Sequence, residues 1–194
     1  VGARFAVVSR RCSYIFHPMN AYDTDDGKII CDVCEYPEAP LFPNVDGKRG
    51  DPKKALARLV RWTFDLKAPT NSYRVDPIDD LVCEFPRFDE RYAGLPYRYG
   101  YVAGDTQPTE KVGGFNVIAA IDHHTGRIDA HDVGEGCATS EPIFVPRSSS
   151  SPEGDGFLLA YVYDANRGAS HLEVLDAQNV SQGPLAKAML DHRI

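Results

Sequence analysis

The chain has 194 residues, 25% of them charged and 43% in the apolar class, with a net charge of -7 at pH 7. That length supports one domain with a sizeable core. The acidic balance argues against nucleic acid or an anionic membrane as the main partner, since both select basic surfaces. No apolar run approaches the length needed to span a bilayer.

The first ten residues, Val1 to Arg10, read as an internal strand and not as a signal peptide. The last residues, Leu190 to Ile194, carry no stop signal. Both ends are therefore expected to be cut from something longer. Between them, short runs rich in Val, Ile, Phe and Tyr alternate with Gly, Pro and Asp. Strands are predicted over 4–9, 13–17, 28–36, 57–66, 80–85, 97–103, 115–122, 127–132, 142–146, 156–164 and 171–176.

The first histidine, His17, closes the apolar run Tyr14-Ile15-Phe16 and is followed by Pro18. That placement suits a side chain projecting from a rigid element at a rim. Cys31 and Cys34 have CxxC spacing but lie inside the strand predicted over 28–36, where the two thiols face opposite sides. A zinc or redox pair needs them convergent. Five cysteines at irregular spacing give no disulfide framework and fit a reducing, cytoplasmic setting.

Helical signals are scarce. A brief helix could start at 51–56, and 184–190 suits either a helix or an edge strand. His123-His124-Thr125-Gly126 is a hairpin turn, with Gly126 free to take positive φ. His123 and His124 are expected at the surface, and His131 and His171 as structural or surface residues. The serine run 147–154 reads as a mobile polar loop. The fold class is all-β. Sandwich, barrel and propeller stay open on the pattern alone, with recurrent strands ending in Asp leaning towards a propeller.

Two glutamates stand in apolar surroundings, each with a proline close behind: Glu84 in Val82-Cys83-Glu84-Phe85-Pro86 and Glu141 in Ser140-Glu141-Pro142-Ile143. A buried carboxylate needs a partner. Spacing alone favours an arginine, such as Arg87, Arg91 or Arg147. The functional alternative is a carboxylate accepting Nδ1–H from a metal-bound histidine, which turns Nε2 to the metal.

The ordered motifs Phe16-His17-Pro18-Met19-Asn20-Ala21-Tyr22, Glu84-Phe85-Pro86-Arg87, Asp89-Glu90-Arg91-Tyr92-Ala93-Gly94-Leu95-Pro96, Glu141-Pro142-Ile143-Phe144-Val145-Pro146-Arg147 and Val174-Leu175-Asp176-Ala177 resemble the carotenoid cleavage oxygenases. The resemblance runs over nearly the whole chain. It implies a seven-bladed β-propeller, with residues 1–194 forming about three C-terminal blades of a domain truncated at both ends. It also implies a ferrous iron held by four histidines, three of them backed by glutamates. His17 matches one ligand, Glu84 the carboxylate behind it, and Glu141 the carboxylate behind a fourth histidine. His192 matches the approach to that fourth ligand and not the ligand itself. The other three ligands are expected outside this sequence, so the segment alone should not hold iron tightly.

The implied reaction is Fe(II)-dependent cleavage of a conjugated C=C bond by O2. The apolar substrate would be a carotenoid, apocarotenoid or stilbenoid, and two carbonyl products would form. Alternatives are an isomerase variant of the family, or a non-catalytic propeller used for binding or scaffolding.

Overall fold

The computed structural model describes residues 13–40, 42–43, 45–48, 50–51, 55–68, 73–108 and 114–194. The strand predicted over 4–9 lies outside them, as do residues 52–54 of the helix suggested at 51–56. Twelve strands run in chain order: β1 Tyr14–Asp23, β2 Lys28–Tyr36, β3 Arg58–Asp65, β4 Arg74–Phe88, β5 Tyr99–Asp105, β6 Val117–Asp122, β7 Arg127–Asp132, β8 Cys137–Thr139, β9 Ile143–Pro146, β10 Gly156–Asp164, β11 Ala169–Asp176 and β12 Pro184–Met189. Two 3-10 turns, Glu90–Tyr92 and Val180–Gln182, are the only helical pieces among the described residues. Residues 184–189 therefore resolve as the edge strand of the two options.

β1 to β7 form one antiparallel meander, and β12-β11-β10-β8 a second sheet in which β9 also pairs β10. The long strand β4 links two four-stranded units. Its Arg74–Pro77 stretch lies beside β3, while Val82–Phe88 lies beside β5. In the second sheet, β8 and β9 share one side of β10: Cys137–Thr139 pair its end and Ile143–Pro146 its beginning. Three four-position units result, one within each half of the meander and one in the second sheet.

The recurrent terminal aspartate has a physical cause. Asp65, Asp105, Asp122, Asp132, Asp164 and Asp176 each end a strand. Each also accepts the backbone N–H two residues on, at 2.8 to 3.0 Å. This Asx turn satisfies a donor just where the ladder stops. Gly126 takes φ 73° in the β6–β7 turn, as the sequence requires. At Gly156 the constraint is space, since a Cβ there would meet the Val145 carbonyl oxygen at 2.3 Å.

Two apolar clusters fill the interior. Met19, Cys34, Tyr36, Leu59, Cys83, Tyr97 and Val102 belong to one, drawn from the meander. The other joins the meander to the second sheet through Tyr101, Ile118, Phe144, Leu158, Val162 and Leu175. Tyr101 and Phe144 stack across that join, with ring centroids 5.3 Å apart and planes 5° from parallel.

Candidate metal-ligand site

His17 sits on an irregularity in β1. Ile15 pairs Glu35 and the next paired residue, Pro18, meets Val33, so Phe16 and His17 together oppose Cys34 alone. An extra residue of this kind bends the strand and re-aims its side chains. Proline suits the position because it has no N–H to give to a ladder. β4 carries the matching feature. Glu84 pairs Ala103 and Arg87 pairs Tyr101, leaving Phe85 and Pro86 against Val102. Phe85 is the single non-glycine residue at positive φ, 53°, among the described residues. Such a backbone stores strain and is held only where its surroundings dictate it.

The two bulges bring their polar side chains together. His17 Nδ1 lies 2.7 Å from Glu84 Oε2, and the same oxygen accepts the Phe85 backbone N–H at 2.8 Å. Two donors on one oxygen fit an ionised carboxylate. Nδ1 then carries the imidazole proton and leaves the Nε2 lone pair free. Glu84 is buried, while the His17 side chain is 45% exposed, and no hydrogen bond engages Nε2 among the described residues. Phe85 packs on the imidazole at 5.3 Å between ring centroids. The arginine alternative for Glu84 is not what the structure shows.

Glu141 is different. It falls in the break between β8 and β9, where Ser140 keeps its tie to β10 through Tyr161. Its Oε1 accepts from Arg87 Nη1 at 3.3 Å, and its side chain is 40% exposed. Arg87 also pairs with Glu90. The described residues bring Glu141 no histidine, so here the arginine partner is the one present.

His123 departs from expectation. The turn is where the sequence puts it, but His123 N bonds the Arg98 carbonyl and the ring folds inward against Tyr97, 4.9 Å between centroids. Its Nε2 is buried without a partner. Burial lowers its pKa to about 4, leaving the imidazole neutral. Gly100 makes this possible, since a Cβ there would come within 3.0 Å of Nε2. His124 is exposed, as predicted.

Other polar groups were invisible in the one-dimensional pattern. Asp32, fully buried, accepts a two-pronged bond from Arg61 at 2.8 and 2.7 Å and a third from the Tyr97 hydroxyl at 2.6 Å. Glu173, also fully buried, takes His131 Nε2 at 3.2 Å, His171 Nε2 at 3.0 Å and Lys187 Nζ at 2.7 Å. Burial raises the Glu173 pKa, but bonds from His131, Lys187 and His171 outweigh it and leave it at about 2. His192 is exposed and pairs with Asp191. The serine loop 148–151 is tied down by Arg91 Nη1, which donates to the Ser149 and Ser151 carbonyls. Cys31, Cys34, Cys83 and Cys137 are free thiols, with Cys34 in the core and Cys31 on the other face of β2.

For iron, the donor set fits in part. His17 offers one imidazole with its tautomer fixed by a carboxylate, the arrangement usual for a ligating histidine. Among the described residues no group of three or more His, Cys, Asp or Glu side chains converges to hold a metal. No helix among them is long and apolar enough to cross a membrane.

The family model described as retinal pigment epithelial membrane protein matches residues 2–194. An isoeugenol monooxygenase of Pseudomonas nitroreducens is 35% identical over 93% of this chain and 39% of its own length. A lignostilbene-alpha,beta-dioxygenase of Sphingomonas paucimobilis is 38% identical over 92% of this chain and 38% of its own. Among solved structures, the Pseudomonas brassicacearum lignostilbene dioxygenase superposes with a TM-score of 0.86 at 32% identity, covering 94% of this chain and 40% of that one. A cobalt-substituted apocarotenoid oxygenase of Synechocystis gives 0.81 at 30% identity, covering 93% and 37%. The chain thus spans about two fifths of the length of these relatives, and its four-stranded units are blades of the β-propeller they share. The match of nearly every residue to one family model, together with these likenesses in sequence and fold, places the chain in the carotenoid cleavage oxygenase family.

Proposed function

We propose that the protein containing this chain is an iron-dependent oxygenase that cleaves a conjugated C=C bond of a stilbenoid, apocarotenoid or carotenoid into two carbonyl products. The observation that carries this reading is the His17–Glu84 bond, with Nε2 of His17 left free. Relatives named as lignostilbene dioxygenase and apocarotenoid oxygenase support the substrate class, and the cobalt-substituted relative supports a metal. Bound iron would supply O2 activation at the double bond. His17 would be one ligand, and further blades of the propeller would bring the others, Glu141 backing one of them.

The residues of this chain have definable roles in that chemistry. Glu84 holds the Nδ1 proton of His17 and so keeps Nε2 available. Its negative charge raises the basicity of the imidazole and offsets part of the charge of a divalent ion. Phe16 and Phe85, flanking the imidazole, exclude water from that side. The free thiols suit a reducing, cytoplasmic setting.

The test uses the full-length protein. His17→Ala is expected to abolish iron retention, read by metal analysis of purified protein; normal iron content would sink the assignment. Turnover of a stilbenoid under 18O2 reads the reaction, with label in both carbonyl products expected. The relative named as a monooxygenase makes one labelled carbonyl the competing outcome, and no label at all would point to isomerisation.

A further inference from the structure

Phe85 is set apart by its backbone. Its φ of 53° is the single positive value outside glycine among the described residues. The left-handed region is costly for a residue with a side chain, and the following Pro86 pushes its predecessor towards extended backbone. A ring needed only to fill space can be placed from an ordinary strand conformation without that cost. Strain kept at one position directs attention to what that position delivers.

Phe85 serves one imidazole in two ways. Its N–H donates to Glu84 Oε2 at 2.8 Å, the oxygen that holds His17 Nδ1 at 2.7 Å. Its ring packs against the His17 ring, with centroids 5.3 Å apart and planes at 41°. One hydrogen bond fixes Nδ1 but leaves the imidazole a rotation about that bond, and the rotation swings Nε2. A ring packed against the imidazole limits it. Phe85 is itself backed by Phe115, which meets it edge-on with centroids 5.7 Å apart and planes at 79°. Phe115 is buried, and its carbonyl accepts the Thr139 N–H at 2.9 Å. Support therefore runs from His17 through Phe85 and Phe115 to β8 of the second sheet.

We propose that Phe85 is a positioning residue for His17: its left-handed backbone brings the N–H to Glu84 Oε2 and the ring to the imidazole together, which sets the plane of His17 and the direction of Nε2. This rests on His17 being an iron ligand. Phe85 acts on the metal only through that imidazole.

The experiment compares Phe85→Leu, Phe85→Tyr, Phe115→Leu and His17→Ala in the full-length protein. Iron affinity is measured by competition with a chelator of known strength, and unfolding of the metal-free forms by denaturant titration. The protein is also loaded with cobalt(II), as a related apocarotenoid oxygenase has been, because the visible absorption of that ion reports the geometry of its ligands. Phe85→Leu removes the ring and should weaken iron binding about tenfold, the low end for a group supporting a ligand from behind. It should also shift the cobalt bands. Phe85→Tyr keeps the ring and should hold both readouts near wild type. Phe115→Leu should shift the same bands in the same direction by less, which reads the proposal even where Phe85→Leu does not fold. Three results would overturn it. One is a Phe85→Leu protein with wild-type iron affinity and cobalt spectrum, whatever its unfolding stability, while His17→Ala strips the metal. Another is a loss in Phe85→Tyr as large as that in Phe85→Leu. The third is an unfolded Phe85→Leu together with an unchanged cobalt spectrum in Phe115→Leu. Iron retained by His17→Ala would instead reject the ligand assignment, and this proposal with it.

Discussion

The chain contains two histidine–glutamate arrangements that look alike as a list of residues and differ in what they leave unused. At the first, Glu84 binds one imidazole, and that imidazole keeps a free Nε2 on a half-exposed side chain. At the second, buried Glu173 collects His131, His171 and Lys187, and both imidazoles spend Nε2 on it. The first carboxylate aims an imidazole that keeps a nitrogen to spare; the second is the centre of a closed polar cluster. That cluster joins β7 of the meander to β11 and β12 of the second sheet, so its role is to clamp two blades together. A candidate ligand histidine is thus told apart by the nitrogen it keeps, and not by the carboxylate beside it.

Substitution at Glu173 probes the clamp and should have the largest effect on stability. Glu173→Ala leaves a lysine and two imidazoles without their acceptor, and breaking a buried pair costs about 3–5 kcal/mol. Denaturant unfolding checks this, and a loss below about 1 kcal/mol would deny the clamp. At Glu84 the loss should appear in metal binding instead. Glu84→Gln in the full-length protein should weaken iron affinity by about 10–100-fold, roughly 1.4–2.7 kcal/mol. Equal iron loss from Glu173→Gln would erase the distinction between the two sites.

Acid separates them further. The Glu173 pKa is about 2 when folded against 4.5 as a free group. The unfolded chain therefore takes up its proton first on acidification. Its contribution, roughly 3 kcal/mol by linkage, is complete above about pH 5 and is lost as pH falls towards 2. His123 acts in a higher window. Its folded pKa of about 4 lies below the free value of 6.5, so stability declines between those values because only the unfolded state is readily protonated. His123→Leu should flatten the pH 6.5 to 4 limb and leave the lower limb intact. Chemical denaturation across pH reads both limbs, and an unchanged upper limb would contradict the burial of Nε2. The smallest effect is expected at a strand end. Asp176→Ala removes one Asx bond to the Gln178 N–H and should cost about 0.5–1.5 kcal/mol.

Much of the fold was legible in the sequence because strand and turn signals are local. Runs such as Val117–Asp122 and Gly156–Asp164 carry β-branched and aromatic residues, and aspartates stop them. β8 was missed because Cys137–Thr139 is three residues long, too short for a period to show. The long reach of β4 was missed for another reason: Arg74–Asp80 is charged and contains Pro77, and pairs only because β3 lies alongside. The His17–Glu84 contact joins residues 67 positions apart; motif resemblance suggested it, while spacing alone favoured an arginine. Glu141 shows the opposite outcome, with Arg87 as its partner. Asp32 and Glu173 carried no signal, since nothing in a strand's alternation distinguishes a buried carboxylate with partners from an exposed one.

By itself the sequence determined the all-β class, the turn positions and the identity of the residues at the candidate site. The first two follow from the φ/ψ preferences and side-chain chemistry of a few neighbouring residues, and the third from the resemblance of whole motifs to a known family. Tertiary structure decided which polar groups meet. It set two bulges against each other to aim His17 at Glu84, folded His123 inward where Gly100 leaves room, and closed Glu173 within three donors. Those outcomes depend on strand register, and register is settled by packing between distant segments.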